Sequence, residues 1–193
     1  MAVDLYWIPL GAGGHSVACN GRVFEAIAAA WARRARRDLY HAALIVERRG
    51  VRHAIELAPS PDGDGASSGV VGTGPVGARW AGGLRLFRYE LRCCAGGTIP
   101  DLAYAAGGPI RVSRDSAVAA RIVALAPSVP LLVWGRDERG IGEMWNCNSV
   151  IAWLLASAGL PAAALCPPAG GRAPGWGAGV ALATLPANGN GAG

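Results

Sequence analysis

The sequence predicts an α+β domain, and three observations lead to that prediction. Two β-rich runs, 41–47 and 51–57, flank a short break that contains Gly50, which is typical of a hairpin. Helical periodicity occurs both before and after this hairpin, without the regular strand–helix alternation of a βαβ protein. The 193 residues are 52% hydrophobic, which is enough for one domain with a proper core.

The first half of the chain supplies most of the predicted strands. Residues 3–8 form a short β-rich run, and 84–92 mix apolar and charged residues in a way that predicts a third strand after the hairpin. In 23–37 the apolar residues recur on one helical stripe with arginines opposite, which predicts a helix. Gly, Ser, Pro and Asp dominate about 60–83, and this composition predicts a long loop.

Two helix starts are expected in the second half. Ser113 can cap a helix that runs to about Ala126. Asn146 or Asn148 can cap a final helix that continues through Leu155.

The remaining segments of the second half are shorter or irregular. The apolar run 131–134 predicts a short strand, and Gly159 is expected to end the final helix. From Pro167 onward Gly, Pro and Ala dominate, so we expect a tail over 167–193 and a folded domain over 1–166.

The charge pattern favours no nucleic-acid partner. The net charge of +5 is mild, and the aromatic residues and Gly-rich phosphate loops of a nucleic-acid binder are not interleaved with it. We expect the densest arginine cluster to be the solvated end of a helix, with weak binding to an anionic surface as the alternative. This cluster consists of Arg33, Arg34, Arg36 and Arg37.

The cysteine content and the apolar runs predict a cytoplasmic protein with free thiols. The five cysteines are an odd number and form no CxxC pair, so neither a zinc site nor any other metal or cofactor is expected. The N-terminal residues lack the layout of a signal peptide, and no apolar run reaches the ~18–20 residues that span a bilayer. We therefore expect no integral membrane contact.

Cys147 is the cysteine whose position favours chemistry. The apolar helical run begins at Val150, so Cys147 falls in or just before the first turn, where unpaired N–H groups and the helix dipole act. Such a position commonly lowers the pKa of a thiol and makes it a nucleophile. The remaining cysteines lack this setting: Cys19, Cys93, Cys94 and Cys166.

The histidines that could serve as the base of such a cysteine are His15, His41 and His53. With the hairpin turn centred on Arg48–Arg49, His41 faces Glu56 across the two strands, and Glu56 could orient its ring. His53 would then point to the other side of the sheet. A change of one residue in the loop length would reverse this choice.

The order of these motifs resembles the circularly permuted NlpC-type papain-like proteins, and most closely the lecithin retinol acyltransferase and phospholipase/acyltransferase group. In that group the hairpin reads roughly His-Trp-Ala-Ile-Tyr-Val and ends His-Leu-Ala-Pro; here 41–46 read His-Ala-Ala-Leu-Ile-Val and 56–59 read Glu-Leu-Ala-Pro. The group's cysteine motif reads Asn-Cys-Glu-His-Phe-Val, and 146–151 read Asn-Cys-Asn-Ser-Val-Ile. The resemblance covers about 38–158.

This resemblance implies a cysteine hydrolase or acyltransferase. Cys147 would attack an amide, ester or thioester, and His41 would take and return the proton. The third polar residue of the family falls on Glu56 by the Leu-Ala-Pro match, and on His53 by counting from His41. Where the family has Glu-His, this chain has Asn148-Ser149, and the long Gly-rich insertion is not shared, which leaves the substrate open.

Two further expectations concern the surroundings of the cysteine. The N–H of Cys147 would hold the oxyanion, with Asn146 and Trp145 beside the cleft. Loop carboxylates are usually solvated, and this is expected of Asp137, Glu138 and Glu143. The alternative function is a non-catalytic papain-like domain that binds a ligand or a protein in the same cleft.

Overall fold

A computed structural model describes residues 1–11, 35, 37–59 and 69–185. Most of the predicted helix 23–37 lies outside the described residues. So do His15, Cys19, Arg33, Arg34 and Arg36.

Six strands form one antiparallel sheet in this part of the chain, which confirms the α+β class. Their order across the sheet is β4-β5-β3-β2-β1-β6. The strands are β1 (Ala2–Pro9), β2 (Tyr40–Arg48), β3 (Val51–Pro59), β4 (Val70–Pro75), β5 (Arg88–Ala95) and β6 (Ile110–Ser113). The prediction of a long loop over 60–83 is wrong at Val70–Pro75, which form β4. The third strand predicted over 84–92 corresponds to β5, which begins and ends later.

The hairpin between β2 and β3 turns at Arg49 and Gly50, one residue later than predicted. Both residues have positive φ angles, 50° and 76°, as in the type I′ turns that suit a two-residue hairpin. Leu44 therefore lies opposite Ile55, and the predicted pairing of His41 with Glu56 is wrong. A turn that lies one residue later shifts each cross-strand partner by two positions. The side chains of β2 and β3 therefore point to the sides of the sheet that were predicted.

Three helices follow the sheet in the described residues: α1 (Ser116–Leu125), α2 (Cys147–Ser157) and α3 (Trp176–Thr184). Asp115 caps α1 by accepting a hydrogen bond from the Ala117 N–H, where Ser113 was predicted. The prediction of a tail over 167–193 is wrong for Trp176–Thr184, which form α3. The predicted strand 131–134 is also wrong, because only Trp134 forms bridges there, to Val76 and Trp145.

Helices α1 and α2 pack on one face of the sheet and form the main core with residues such as Leu44 and Ile55. Ile8, Ala43 and Ile45 face the other side, where the turn Pro100–Tyr104 and its neighbours cover them. The outer side of α2 packs against α3, where a side chain at Gly179 would collide with a backbone carbonyl of α2. No helix in the described ranges is long and apolar enough to cross a membrane.

Candidate active site at the start of helix α2

Cys147 is the first residue of α2, and the residue before it fixes that position. The side-chain oxygen of Asn146 accepts hydrogen bonds from the N–H groups of Asn148 and Ser149, at 2.9 and 3.3 Å. The Ser149 hydroxyl in turn accepts from the Asn146 N–H at 3.1 Å. This reciprocal capping box confirms that Asn146 is the cap and starts the helix at the cysteine.

The thiol of Cys147 is buried, with 8% of the residue exposed. Burial raises its pKa to about 11, although the backbone N–H groups of Asn148, Ala42 and Cys147 itself act in the opposite direction. The lowered pKa expected from the helix start is therefore wrong for this conformation, because desolvation outweighs the N–H groups. At neutral pH the resting thiol keeps its proton.

Asn148 joins the start of α2 to strand β2 and to the chain before α3. Its side-chain oxygen accepts a hydrogen bond from the Ala42 N–H at 2.8 Å. Its side-chain nitrogen donates to the carbonyls of Tyr40, at 3.0 Å, and Pro174, at 2.9 Å. Tyr40 and Ala42 flank His41, so this one amide sets the position of His41 along the strand relative to Cys147.

His41 and Cys147 line the same cleft. Burial lowers the pKa of His41, and the negative charge of Asp101 acts in the opposite direction. Among the described residues, no hydrogen bond joins the His41 ring to the Cys147 thiol. His41 lies opposite Ile8 and alternates with Ala42, so its side chain is on the second-core face of the sheet, whereas Cys147 belongs to the main core on the other face. The two residues therefore share the cleft without a formed dyad.

The cleft is small and mostly apolar. Its volume is about 140 Å³, close to that of a cavity that holds one benzene-sized group. Trp134 contributes to the lining, whereas Trp145, which was expected beside the cleft, is 2% exposed and belongs to the main core. The apolar lining also includes Leu10, Leu39, Tyr40, Met144 and Pro174.

Asn146 also lines the cleft, and both the oxygen and the nitrogen of its amide form hydrogen bonds within the protein. Beyond its capping bonds, its side-chain nitrogen donates to the Pro174 carbonyl at 2.9 Å. Asn146 therefore caps α2 and also joins its start to the chain before α3.

The two candidates for the third role lie on opposite faces of β3. Glu56 shares its face with Ala54 in the second core; burial raises its pKa, against the charge of Arg92. His53 lies on the other face and pairs with Val46. Since Val46 is five residues along β2 from His41, His53 lies roughly 16 Å from it along the strand.

Asp101 is a charged neighbour of His41 that sequence reasoning missed. Its charge acts on the pKa values of both His41 and Glu56, so the three residues are near one another on the same side of the sheet. It lies in the turn Pro100–Tyr104, whose neighbour Ile99 is buried against Ala43. The apolar residues on both sides of a Pro-Asp turn are the sequence signal that this turn covers the sheet.

The chain before α3 was missed as well, although it completes the site. The Ser149 hydroxyl donates to the Gly175 carbonyl at 2.7 Å, beside the bonds that Pro174 accepts. The Trp176 ring packs against Trp7 of β1 in a tilted arrangement, with the ring centroids 4.8 Å apart. The turn into α3 requires glycine at 175, whose φ is 85° and where a side chain would meet the Asn146 amide at 2.6 Å.

The acidic residues before the cysteine bind backbone N–H groups rather than solvent alone. Asp137 accepts from Ile141 and Gly142 at 2.9 and 2.7 Å, which lowers its pKa. Glu138 accepts from Val133, and Glu143 from Gly177 at the start of α3. Within the described part of the chain, no group of three His, Cys, Asp or Glu residues could hold a metal ion.

Comparison with known proteins found no match among protein-family models, curated proteins or solved structures. A function for this chain must therefore be inferred from the geometry around Cys147.

Proposed function

We propose that the chain is a permuted papain-like cysteine hydrolase or acyltransferase that acts on an amide, ester or thioester. The observation that carries this proposal is the position of Cys147: it starts a capped helix and lines one cleft with His41. A nucleophile at a helix start beside a base is the arrangement that cysteine acyl transfer requires.

In the proposed reaction the Sγ–H proton passes to the His41 ring while Sγ bonds to the substrate carbonyl carbon. The imidazolium then returns the proton to the leaving group as the bond from that carbon to the leaving group breaks, and an acyl-enzyme remains. Because burial raises the pKa of the thiol and lowers that of the imidazole, the resting pair is neutral. His41 therefore acts as a general base during attack, and a preformed thiolate–imidazolium pair is not needed.

The Cys147 N–H is the proposed donor to the oxyanion. Three backbone N–H groups lie at the thiol, but that of Ala42 donates to the Asn148 side chain and that of Asn148 donates to Asn146. The Cys147 N–H has no such competing acceptor in the described residues, so it can donate a hydrogen bond to a developing negative charge. The charge of Asp101 favours the imidazolium that forms at the same moment.

The proposed substrate has a small acyl or peptide-like group. A cleft of about 140 Å³ with an apolar lining accepts a short acyl chain more readily than a charged one. The free thiols of Cys93, Cys147 and Cys166 support the expected cytoplasmic location.

The test is to trap the acyl-enzyme. The purified protein is incubated with p-nitrophenyl acetate, and acetyl groups are located by intact-mass and peptide mass spectrometry. We expect one acetyl group on Cys147, formed about 10²–10⁴-fold more slowly in His41→Gln. Cys166→Ser, which removes an exposed thiol, is the control and should react like the wild type. Acetylation confined to Cys166 would contradict the proposal.

A non-catalytic binding domain is the second candidate. It is favoured by the thiol pKa of about 11, together with the missing hydrogen bond between His41 and Cys147 among the described residues. For such a domain, small apolar amides would bind the cleft equally well in the wild type and in Cys147→Ser, and no ester or thioester would acylate Cys147. Calorimetric titration of acetanilide into both proteins, run beside the acetylation experiment, separates the two functions.

A further inference from the structure

The segment between β4 and β5 exposes an unusual amount of apolar surface. Single exposed apolar side chains are ordinary, but here four large ones occur within eight residues. They are Trp80, Leu84, Leu86 and Phe87, which are 82%, 58%, 72% and 41% exposed. We refer to residues 79–88 as the exposed loop.

The backbone of the exposed loop is held in place. It forms two short 3₁₀ turns, and Ala81 in the first of them is buried. The Arg88 guanidinium donates to the carbonyls of Gly82, at 2.5 Å, and Gly83, at 3.3 Å. The Val76 N–H donates to Phe87 O at 2.8 Å, next to the bridge between Val76 and Trp134. The apolar side chains are therefore presented by a fixed backbone, beside a residue that lines the cleft.

All charges in the exposed loop are positive. Arg79, Arg85 and Arg88 are its charged residues, and the next acidic residue in the sequence is Glu90. Arg79 also pairs with Glu138 at 2.6 Å, yet 71% of its side chain is exposed. Trp and Leu side chains next to arginines are the combination that occupies the boundary between lipid headgroups and acyl chains, where the rings and aliphatic groups are buried and the guanidinium groups reach the phosphates.

We propose that the exposed loop docks on the surface of an anionic lipid bilayer. Its apolar side chains enter the headgroup region, and its arginines contact lipid phosphates. A single ten-residue segment is narrow for a stable protein interface, which buries ~800 Å² on each partner, whereas lipid surrounds each inserted side chain separately. This docking does not depend on the reaction at Cys147.

The test is flotation of the purified protein with vesicles of phosphatidylcholine containing 30% phosphatidylglycerol, compared with pure phosphatidylcholine. We expect the wild type to float with the anionic vesicles, and the Trp80→Ser/Leu86→Ser variant to bind at least tenfold more weakly. The matched control is Tyr104→Ser/Leu185→Ser, which removes side chains of 58% and 53% exposure elsewhere and should bind like the wild type. Arg85→Gln should weaken binding about fivefold, whereas Arg114→Gln, at another exposed arginine, should not.

Three results would overturn the proposal. The wild type could fail to float with anionic vesicles, or the Trp80→Ser/Leu86→Ser variant could float as well as the wild type while its circular dichroism spectrum is unchanged. The third result would be a dimer of the wild type in sedimentation velocity that this variant does not form, while neither protein binds vesicles. A second copy of the chain would then be the partner of the exposed loop.

Discussion

Asn148 accepts a hydrogen bond of 2.8 Å from the N–H of Ala42, a residue 106 positions earlier in the chain. The bond joins the residue after the proposed nucleophile to the residue after the proposed base. It is buried, and the same amide donates to Tyr40 on the other side of His41. One side chain therefore holds the base-bearing strand against the start of helix α2.

Replacing Asn148 with Ala should destabilise the protein by about 2–4 kcal/mol, because the buried Ala42 N–H loses its acceptor and the Tyr40 and Pro174 carbonyls lose a donor. Urea unfolding measures this loss. The matched control is Asp115→Ala, which removes an exposed helix cap and should cost about 1 kcal/mol. A loss no larger than that of the control would show that Asn148 does not hold the site together.

Replacing Gly179 with Ala should separate α3 from α2. A methyl group there would collide with the Ser149 carbonyl oxygen, which belongs to helix backbone and cannot move aside easily. We expect a loss of about 1–3 kcal/mol in urea unfolding, on the scale of an overpacked core. Gly177→Ala is the control in the same helix, since its added methyl would lie 3.1 Å from the end of the Glu143 side chain. Equal stability of the two variants would argue against close packing of α3 on α2.

The buried thiol predicts a loss of stability at alkaline pH. Folding raises the pKa of Cys147 from its ordinary value of 9.0 to about 11. Below pH 9 the thiol is protonated in the folded and the unfolded chain, so its ionisation does not reduce the free energy of unfolding there. Between pH 9 and 11 only the unfolded chain releases the proton, and stability falls by roughly 2–3 kcal/mol.

Urea unfolding of the wild type and of Cys147→Ser between pH 7 and 11 tests this prediction. The serine variant keeps the other cysteines and tyrosines but cannot release this proton, so the difference between the two proteins isolates Cys147. We expect the wild type to lose more stability than the variant above pH 9. Parallel curves would mean that the thiol reaches solvent in the folded protein.

The sequence predicted the parts of the site that depend on short-range patterns. An Asn followed by an apolar helical run was sufficient to predict Asn146 or Asn148 as the cap and Cys147 in or just before the first turn, because a cap acts within four residues. The hairpin was found for the same reason. Its register was missed because the turn uses Arg49 with a positive φ, and that conformation is uncommon outside glycine, Asn and Asp.

The missed elements depend on contacts between distant residues. Helix α3 contains two glycines and has no side-chain cap of its own, yet Glu143 binds its first turn and Trp176 packs on Trp7. Strand β4 is rich in glycine, and one of those glycines leaves room for the Tyr89 ring. The pKa of Cys147 was misjudged for a related reason, since the helix start was visible in the sequence and the depth of its burial was not.

The measurement that tests the central claim most directly is the pH profile of Cys147 acetylation by p-nitrophenyl acetate from pH 5 to 10, in the wild type and in His41→Gln. If His41 is the general base of a neutral pair, the wild-type rate rises with a midpoint below pH 6.5 and is then level through pH 9, because burial lowers the pKa of His41. His41→Gln should lose this plateau. A wild-type rate that climbs about tenfold per pH unit up to pH 10, and is unchanged in His41→Gln, would contradict the account, since the thiolate would then react without a base.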